Sequence, residues 1–343
     1  MNLIPRALAL LAACTLLAAF TLLRSPDLKA APVHPRLGER SGHTGQEIVV
    51  CGQFYYAGTT VVTWMDPGGY DAYRIDPRPA PAAAMGDDPA TGGTGGNEQK
   101  RPSFGVRIKE GLAPANLEVI RAGRWTLPLL QQVVDQFVLH YDQSGTSRRC
   151  FRTLTDRCLS VHFMLDLDGT IYQTLDLKER AWHATTSNTR SIGIEIANRG
   201  AYATPDNPAL TQSYARDADG RTRIKLPPDH GVRTPGFIAR PSSDAPIAGR
   251  IQGEDFVQYD FTPQQYESLI KLTATLCQIF PELRCDFPRD AAGLLIREKL
   301  PNVELNKYRG LLGHYHVQAN KYDPGPAIQW ERVVKEARGL MGR

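Results

Sequence analysis

Ser191-Ile192-Gly193-Ile194-Glu195-Ile196-Ala197-Asn198 alternates at every step: the three isoleucines take one face of an extended chain, and Gly193, Glu195 and Ala197 take the other. A carboxylate in so apolar a strand is costly unless it is paired or used. The small residues on either side of Glu195 leave room for a ligand, and low polarity raises a carboxylate toward the range useful for general base work. An exposed sheet face, where the glutamate is simply solvated, remains the alternative.

Working outward, residues 136–141 read as a second strand, preceded by a helical stretch over 127–134. Period two puts His140 on the face opposite Phe137 and Leu139. Residues 161–167 and 170–175 alternate about Asp168-Gly169, a strong short hairpin signal. Thr262 opens a helix, with Pro263 in its first turn and Gln265 in capping-box position. Tyr266, Leu269, Ile270, Thr273, Leu276, Cys277 and Phe280 then share one face. A strand over 311–317 and a helix from about 327 close the chain. Strands and helices mixed without strict alternation define an α+β domain, with a mixed central sheet flanked by helices.

The rest of the chain reads as attachments to that domain. Residues 1–24 combine a short positive start with an apolar run over 7–23, so they read as a signal or membrane-anchor segment of an exported chain. Leu11-Ala12-Ala13-Cys14 resembles a bacterial lipobox, yet the apolar run continues past Cys14, as in an uncleaved anchor; both readings stand. Residues 25–46 read as a tether and 47–75 as a small hairpin-like piece about Gly58 with no assigned role. Residues 76–104 read as a flexible linker containing Gly92-Gly93-Thr94-Gly95-Gly96. The folded unit then runs over 105–335, with a long Pro-, Gly- and Asp-rich insertion at 199–258. An exported chain permits disulfides, and the spacing allows Cys150 with Cys158 and Cys277 with Cys285. A net charge of +4 without any basic run excludes nucleic acid as a partner.

Of the eight histidines, His34 and His43 lie in the tether and His230 in the insertion. His140, His162, His183, His314 and His316 lie in or beside predicted elements. A catalytic zinc site needs about three protein ligands and one open position. Gly313-His314-Tyr315-His316 is followed at once by Lys321-Tyr322-Asp323-Pro324-Gly325-Pro326. Asp323 alone reads as a turn former, but with two histidines and a lysine beside it the segment offers imidazole plus carboxylate. His140, from another strand, would complete a three-ligand set.

The strand motif Phe137-Val138-Leu139-His140, the run Ser160-Val161-His162-Phe163 leading to Asp168-Gly169-Thr170-Ile171-Tyr172-Gln173, and Ala181-Trp182-His183-Ala184 occur in order. Ser191-Ile192-Gly193-Ile194-Glu195, Gly313-His314 and Lys321-Tyr322-Asp323-Pro324-Gly325-Pro326 follow. Together they resemble the zinc-dependent N-acetylmuramoyl-L-alanine amidases of type 2, a family related to phage amidases and animal peptidoglycan recognition proteins. The resemblance implies that His140, His314 and Asp323 bind zinc (Zn2+), that Glu195 is the general base, and that Lys321 stabilises an oxyanion. It places His183, Trp182 and His162 by the substrate cleft. Ala319-Asn320 stands where the family usually has Pro-Gly-Arg, and the interval from His314 to Asp323 is short, which makes His316 a rival ligand. The implied reaction is hydrolysis of the amide between N-acetylmuramic acid and L-alanine, for wall remodelling or recycling. The alternative is a non-catalytic peptidoglycan-binding protein. The expected setting is a monomer in the periplasm or cell envelope, attached through its N-terminus and acting on peptidoglycan or muropeptides.

Overall fold

β-branched and aromatic residues at period two make the central strands, and a three-residue rhythm makes the helices behind them. The computed structural model describes residues 35–75 and 102–342. The signal or anchor segment 1–24, residues 25–34 of the tether and 76–101 of the linker lie outside the described residues. No described helix is long and apolar enough to cross a membrane. In chain order the elements are β1 (Glu47–Val50), β2 (Gln53–Tyr56), β3 (Val61–Thr63), α1 (Ala72–Ile75), β4 (Phe104–Val106), α2 (Pro114–Arg121), α3 (Leu127–Gln131) and β5 (Gln136–Tyr141). Next come α4 (Ser147–Asp156), β6 (Phe163–Leu165), β7 (Ile171–Gln173), β8 (Glu179–Ala181) and β9 (Ser191–Ile196). The insertion holds α5 (Pro208–Thr211), β10 (Tyr214–Arg216), β11 (Thr222–Ile224), β12 (Ile247–Ile251) and β13 (Glu254–Gln258). The chain ends with α6 (Pro263–Ile279), α7 (Asn302–Lys307), β14 (Gly310–Gly313), α8 (His314–Val317) and α9 (Trp330–Leu340).

Six strands form a mixed sheet in the order β14-β5-β9-β6-β7-β3, in which only β6 and β7 pair antiparallel. Phe137, Leu139, Ile192 and Ile194 leave its back face fully buried against α6 and α9. Each such side chain contributes about 1.5–3 kcal/mol by leaving water. α6 starts as its sequence requires: the Thr262 hydroxyl accepts from Gln265 N at 3.1 Å, and Gln265 Oε1 accepts from Thr262 N at 2.9 Å. The front face is covered in two places. α4 packs Cys150 and Leu154 on Met164 and Tyr172, while Leu300, Leu305 and Val317 pack on Val138 and Leu312. Between these two coverings lies the cleft.

Five expectations change. Residues 47–75 are no separate hairpin: β1 and β2 do pair, but β3 joins the central sheet as its edge strand beside β7. The Gln173 carboxamide stitches the pieces together, accepting from Val49 N at 2.7 Å and donating to Val49 O at 2.8 Å. The tether ends before residue 46, because the buried Glu47 carboxylate accepts the amides of Thr44, Gly45 and Gln46. The insertion is ordered as two antiparallel hairpins, β10–β11 and β12–β13; Leu210, Tyr214 and Ile224 pack with Leu167 and Ala197. The strand expected over 311–317 stops at Gly313, where α8 begins. Among the described residues no disulfide joins Cys150 to Cys158.

Candidate active site

β5 and β9 run parallel, with His140 paired in register to Glu195 and Val138 to Gly193. Both functional side chains therefore leave the front face next to each other, at the floor of the cleft. β14 delivers the next group. It ends at Gly313, where a Cβ would meet Pro324 Cδ at 2.8 Å, so the chain folds back tightly and brings Asp323 beside His314.

Three atoms converge there. His140 Nδ1 lies 2.7 Å from Asp323 Oδ2 and 3.0 Å from His314 Nδ1, and His314 Nδ1 lies 3.0 Å from the same Asp323 oxygen. All three residues are buried, and they form the candidate metal-holding group among the described residues. Their donor chemistry fits a cation. Burial, then neighbouring His314, lowers His140 to about 4 and keeps its imidazole neutral. Burial works against the Asp323 carboxylate, yet the adjoining His314 and His140 hold it well below the usual carboxylate range. Two imidazoles and one carboxylate turned to a common point are the ligand set of a catalytic site with a position left open.

The outer ring nitrogens are held as well. His314 Nε2 donates to Gln318 Oε1 at 2.6 Å, which leaves the Nδ1 lone pair facing inward. His140 Nε2 lies 3.0 Å from His183 Nδ1, and His183 Nε2 lies 3.2 Å from Ser191 Oγ. With the proton of His140 on Nε2, the chain of donation runs outward from His140 through His183 to the serine. Gly193 makes this possible, because a Cβ there would sit 2.5 Å from His183 Nδ1.

The cleft above has a volume of about 270 Å³ and is lined by Trp182, His183, Glu195 and Lys321 among others. Burial, then Asp323 and Asp142, pushes the Glu195 carboxyl well up, while Lys321 pulls it down. Glu195 Oε2 is buried without a hydrogen-bond partner among the described residues. Trp182 is buried on the cleft wall with Arg180 over its ring at 4.5 Å. Two sequence expectations part here. His162 does not line the cleft: it is fully buried, its Nδ1 accepts from Gly193 N at 3.1 Å, and its Nε2 donates to Glu179 O at 3.0 Å. Buried Arg107 packs against the same ring, with Nη2 2.7 Å from Nε2, and His162 staples β9 from within through Gly193 N. His316 also stays out of the group. Its Nδ1 accepts from Gly313 N at 2.8 Å and its Nε2 donates to Ile296 O at 2.7 Å, so both nitrogens are used by the backbone. Sequence reasoning missed Ser191, Gln318 and Asp142. Asp142 lines the cleft two residues past His140, where the strand end was a usable signal.

Residues 130–326, more than half of the 343, match the N-acetylmuramoyl-L-alanine amidase family. The chain belongs to that family and is an N-acetylmuramoyl-L-alanine amidase by membership. Comparison with the curated proteins gives no match. Among solved structures, AmpD in its selenomethionine derivative is 17% identical, over 61% of this chain and 86% of that one, with a TM-score of 0.30. AmiD from E. coli, described as a complex with anhydro-N-acetylmuramic acid-L-Ala-D-gamma-Glu-L-Lys, is 19% identical over 59% and 57%, with a TM-score of 0.34. The endolysin LysCS from Clostridium intestinale is 17% identical over 59% and 82%, with a TM-score of 0.31.

Proposed function

We propose that this chain uses zinc to hydrolyse the amide between the lactyl group of N-acetylmuramic acid and L-alanine in peptidoglycan. The observation that carries this reading is the convergence of His140, His314 and Asp323 next to Glu195, inside the span that matches the amidase family. Two imidazoles and a carboxylate suit zinc, and a zinc ion held there would supply Lewis-acid polarisation of the scissile carbonyl and a more acidic water. The protein's own groups do the remainder. Glu195 accepts a proton from the attacking water and passes it to the leaving nitrogen. Its low-polarity setting keeps its basicity high enough for both transfers. Lys321, on the cleft wall, meets the negative charge that develops on the carbonyl oxygen.

The apolar run over residues 7–23 supports export, so the proposed setting is the periplasm or envelope, with attachment through the N-terminus and action as a monomer on wall polymer or its fragments. The test is digestion of purified peptidoglycan by the full chain with and without a zinc chelator, read by mass spectrometry. Peptides beginning at L-alanine, intact glycan and loss of activity with chelator are expected. Binding with no cleavage product would replace this reading with a recognition protein.

A further inference from the structure

Lys321 and Asp323 sit between α8 and α9 on a segment without regular secondary structure, so other parts of the chain must fix it. The insertion does so. The β12–β13 hairpin turns through two residues, Gln252 and Gly253, with φ of 53° and 77°. Positive φ at both positions is the turn that suits hairpin twist, and glycine or asparagine is the ordinary occupant of the first. A glutamine there is unfavourable for the backbone, and its side chain shows what it does instead. Gln252 Nε2 donates to Tyr315 O at 2.8 Å and Gln318 O at 3.1 Å, with Lys321 O at 3.4 Å; its Oε1 accepts from Lys299 N at 3.1 Å. The hairpin lies flat along the same segment. A Cβ on Gly249 would be 2.6 Å from Pro326 Cβ, and Phe256 packs on Tyr322 with ring centroids 4.6 Å apart. Glycine lacks the carboxamide, and asparagine is one methylene shorter than this span of carbonyls uses.

We propose that Gln252 is a positioning residue for the active site. Its carboxamide fixes the carbonyls of Gln318 and Lys321, and so sets both the Gln318 side chain that holds His314 Nε2 and the approach of Lys321 to the cleft. The part concerning Lys321 rests on the proposed amide hydrolysis; the part concerning His314 rests on the ligand geometry alone. A small displacement of groups so placed is costly to turnover even when substrate still binds.

The experiment uses the full chain carrying Gln252→Glu, which keeps the side chain's length and removes its donors, and Gln252→Gly, which suits the turn and removes the carboxamide. kcat is expected to fall about tenfold with KM within about twofold. Zinc affinity, measured by competition with a chromophoric chelator, is expected to fall about tenfold, as for other groups that orient a metal ligand. A fall in either quantity in a variant that melts cooperatively supports the assignment. kcat and zinc affinity both within about twofold of wild type overturn it. Should Gln252→Glu fail to fold, Gln252→Gly decides. Should wild type cleave no peptidoglycan, the proposed function fails, while the chelator competition, which needs no substrate, still decides the role of Gln252.

Discussion

His140 and Glu195 are register partners on the adjacent parallel strands β5 and β9, so a candidate metal ligand and a candidate base emerge from the sheet side by side. Their placement is set from behind. Phe137 and Leu139 on one strand, and Ile192 and Ile194 on the other, are fully buried on the opposite face. A slip of one residue in either strand would turn its aliphatic set into the cleft and its functional group into the core. The same alternation that builds the core therefore aims the chemistry.

Glu195→Gln separates the two roles on this sheet. The amide keeps shape and cannot take a proton, so zinc affinity is expected to stay within about threefold of wild type while kcat falls by about 10²–10⁴. Equilibrium dialysis and single-turnover kinetics on a muropeptide check both. Substantial residual turnover would remove Glu195 from the proton transfers.

Gly193→Ala tests the support behind His140. The new methyl would come within 2.5 Å of His183 Nδ1, and the ring can yield only by leaving His140 Nε2 and Ser191 Oγ. Overpacking is expected to cost about 1–3 kcal/mol in urea unfolding. Loss of the orienting contact is expected to weaken zinc by about 10- to 100-fold. His183→Ala should show a comparable weakening of zinc without the overpacking.

His314→Ala and His316→Ala should part company. The first removes an atom of the converging group, and bound zinc is expected to disappear. The second leaves Gly313 N and Ile296 O without their buried partner, at a cost of about 2–5 kcal/mol, with one zinc per chain retained. Metal analysis of both variants decides it, and the reverse pattern would make His316 the ligand.

Asp166 gives stability a pH dependence of its own. Burial raises its carboxyl to about 7, and Oδ2 has no hydrogen-bond partner among the described residues. The folded state therefore binds the proton more tightly than the unfolded state, whose carboxyl titrates near its ordinary value. Between those two values the folded chain carries more protons, so this group's contribution falls as pH rises from about 4 to about 7. Asp166→Asn is expected to flatten that slope by on the order of a few kcal/mol across the window, read from urea midpoints at pH 5 and pH 8. An unchanged slope would show that Asp166 does not carry it.

Much of this was legible because the informative signals are local. Period two in 136–141 and 191–196 gave both central strands and the correct faces for His140 and Glu195. Thr262 and Gln265 marked the start of α6 three residues apart. What was missed depends on distant partners. β3 is only three residues long and is defined by pairing with β7, more than a hundred residues away. His162 resembles a site residue until Arg107 is seen against it, 55 residues earlier. Gln252 and Gln318 carry no pattern at all, since a carboxamide has meaning only through the groups it meets.

Zinc K-edge X-ray absorption on the full chain loaded with one equivalent of zinc tests the central claim most directly. The account expects two imidazole nitrogens with oxygen ligands at about 2.0–2.2 Å, and loss of one imidazole in His140→Ala. A sulfur scatterer at about 2.3 Å, or a zinc environment unchanged in His140→Ala, would contradict it and place the metal elsewhere.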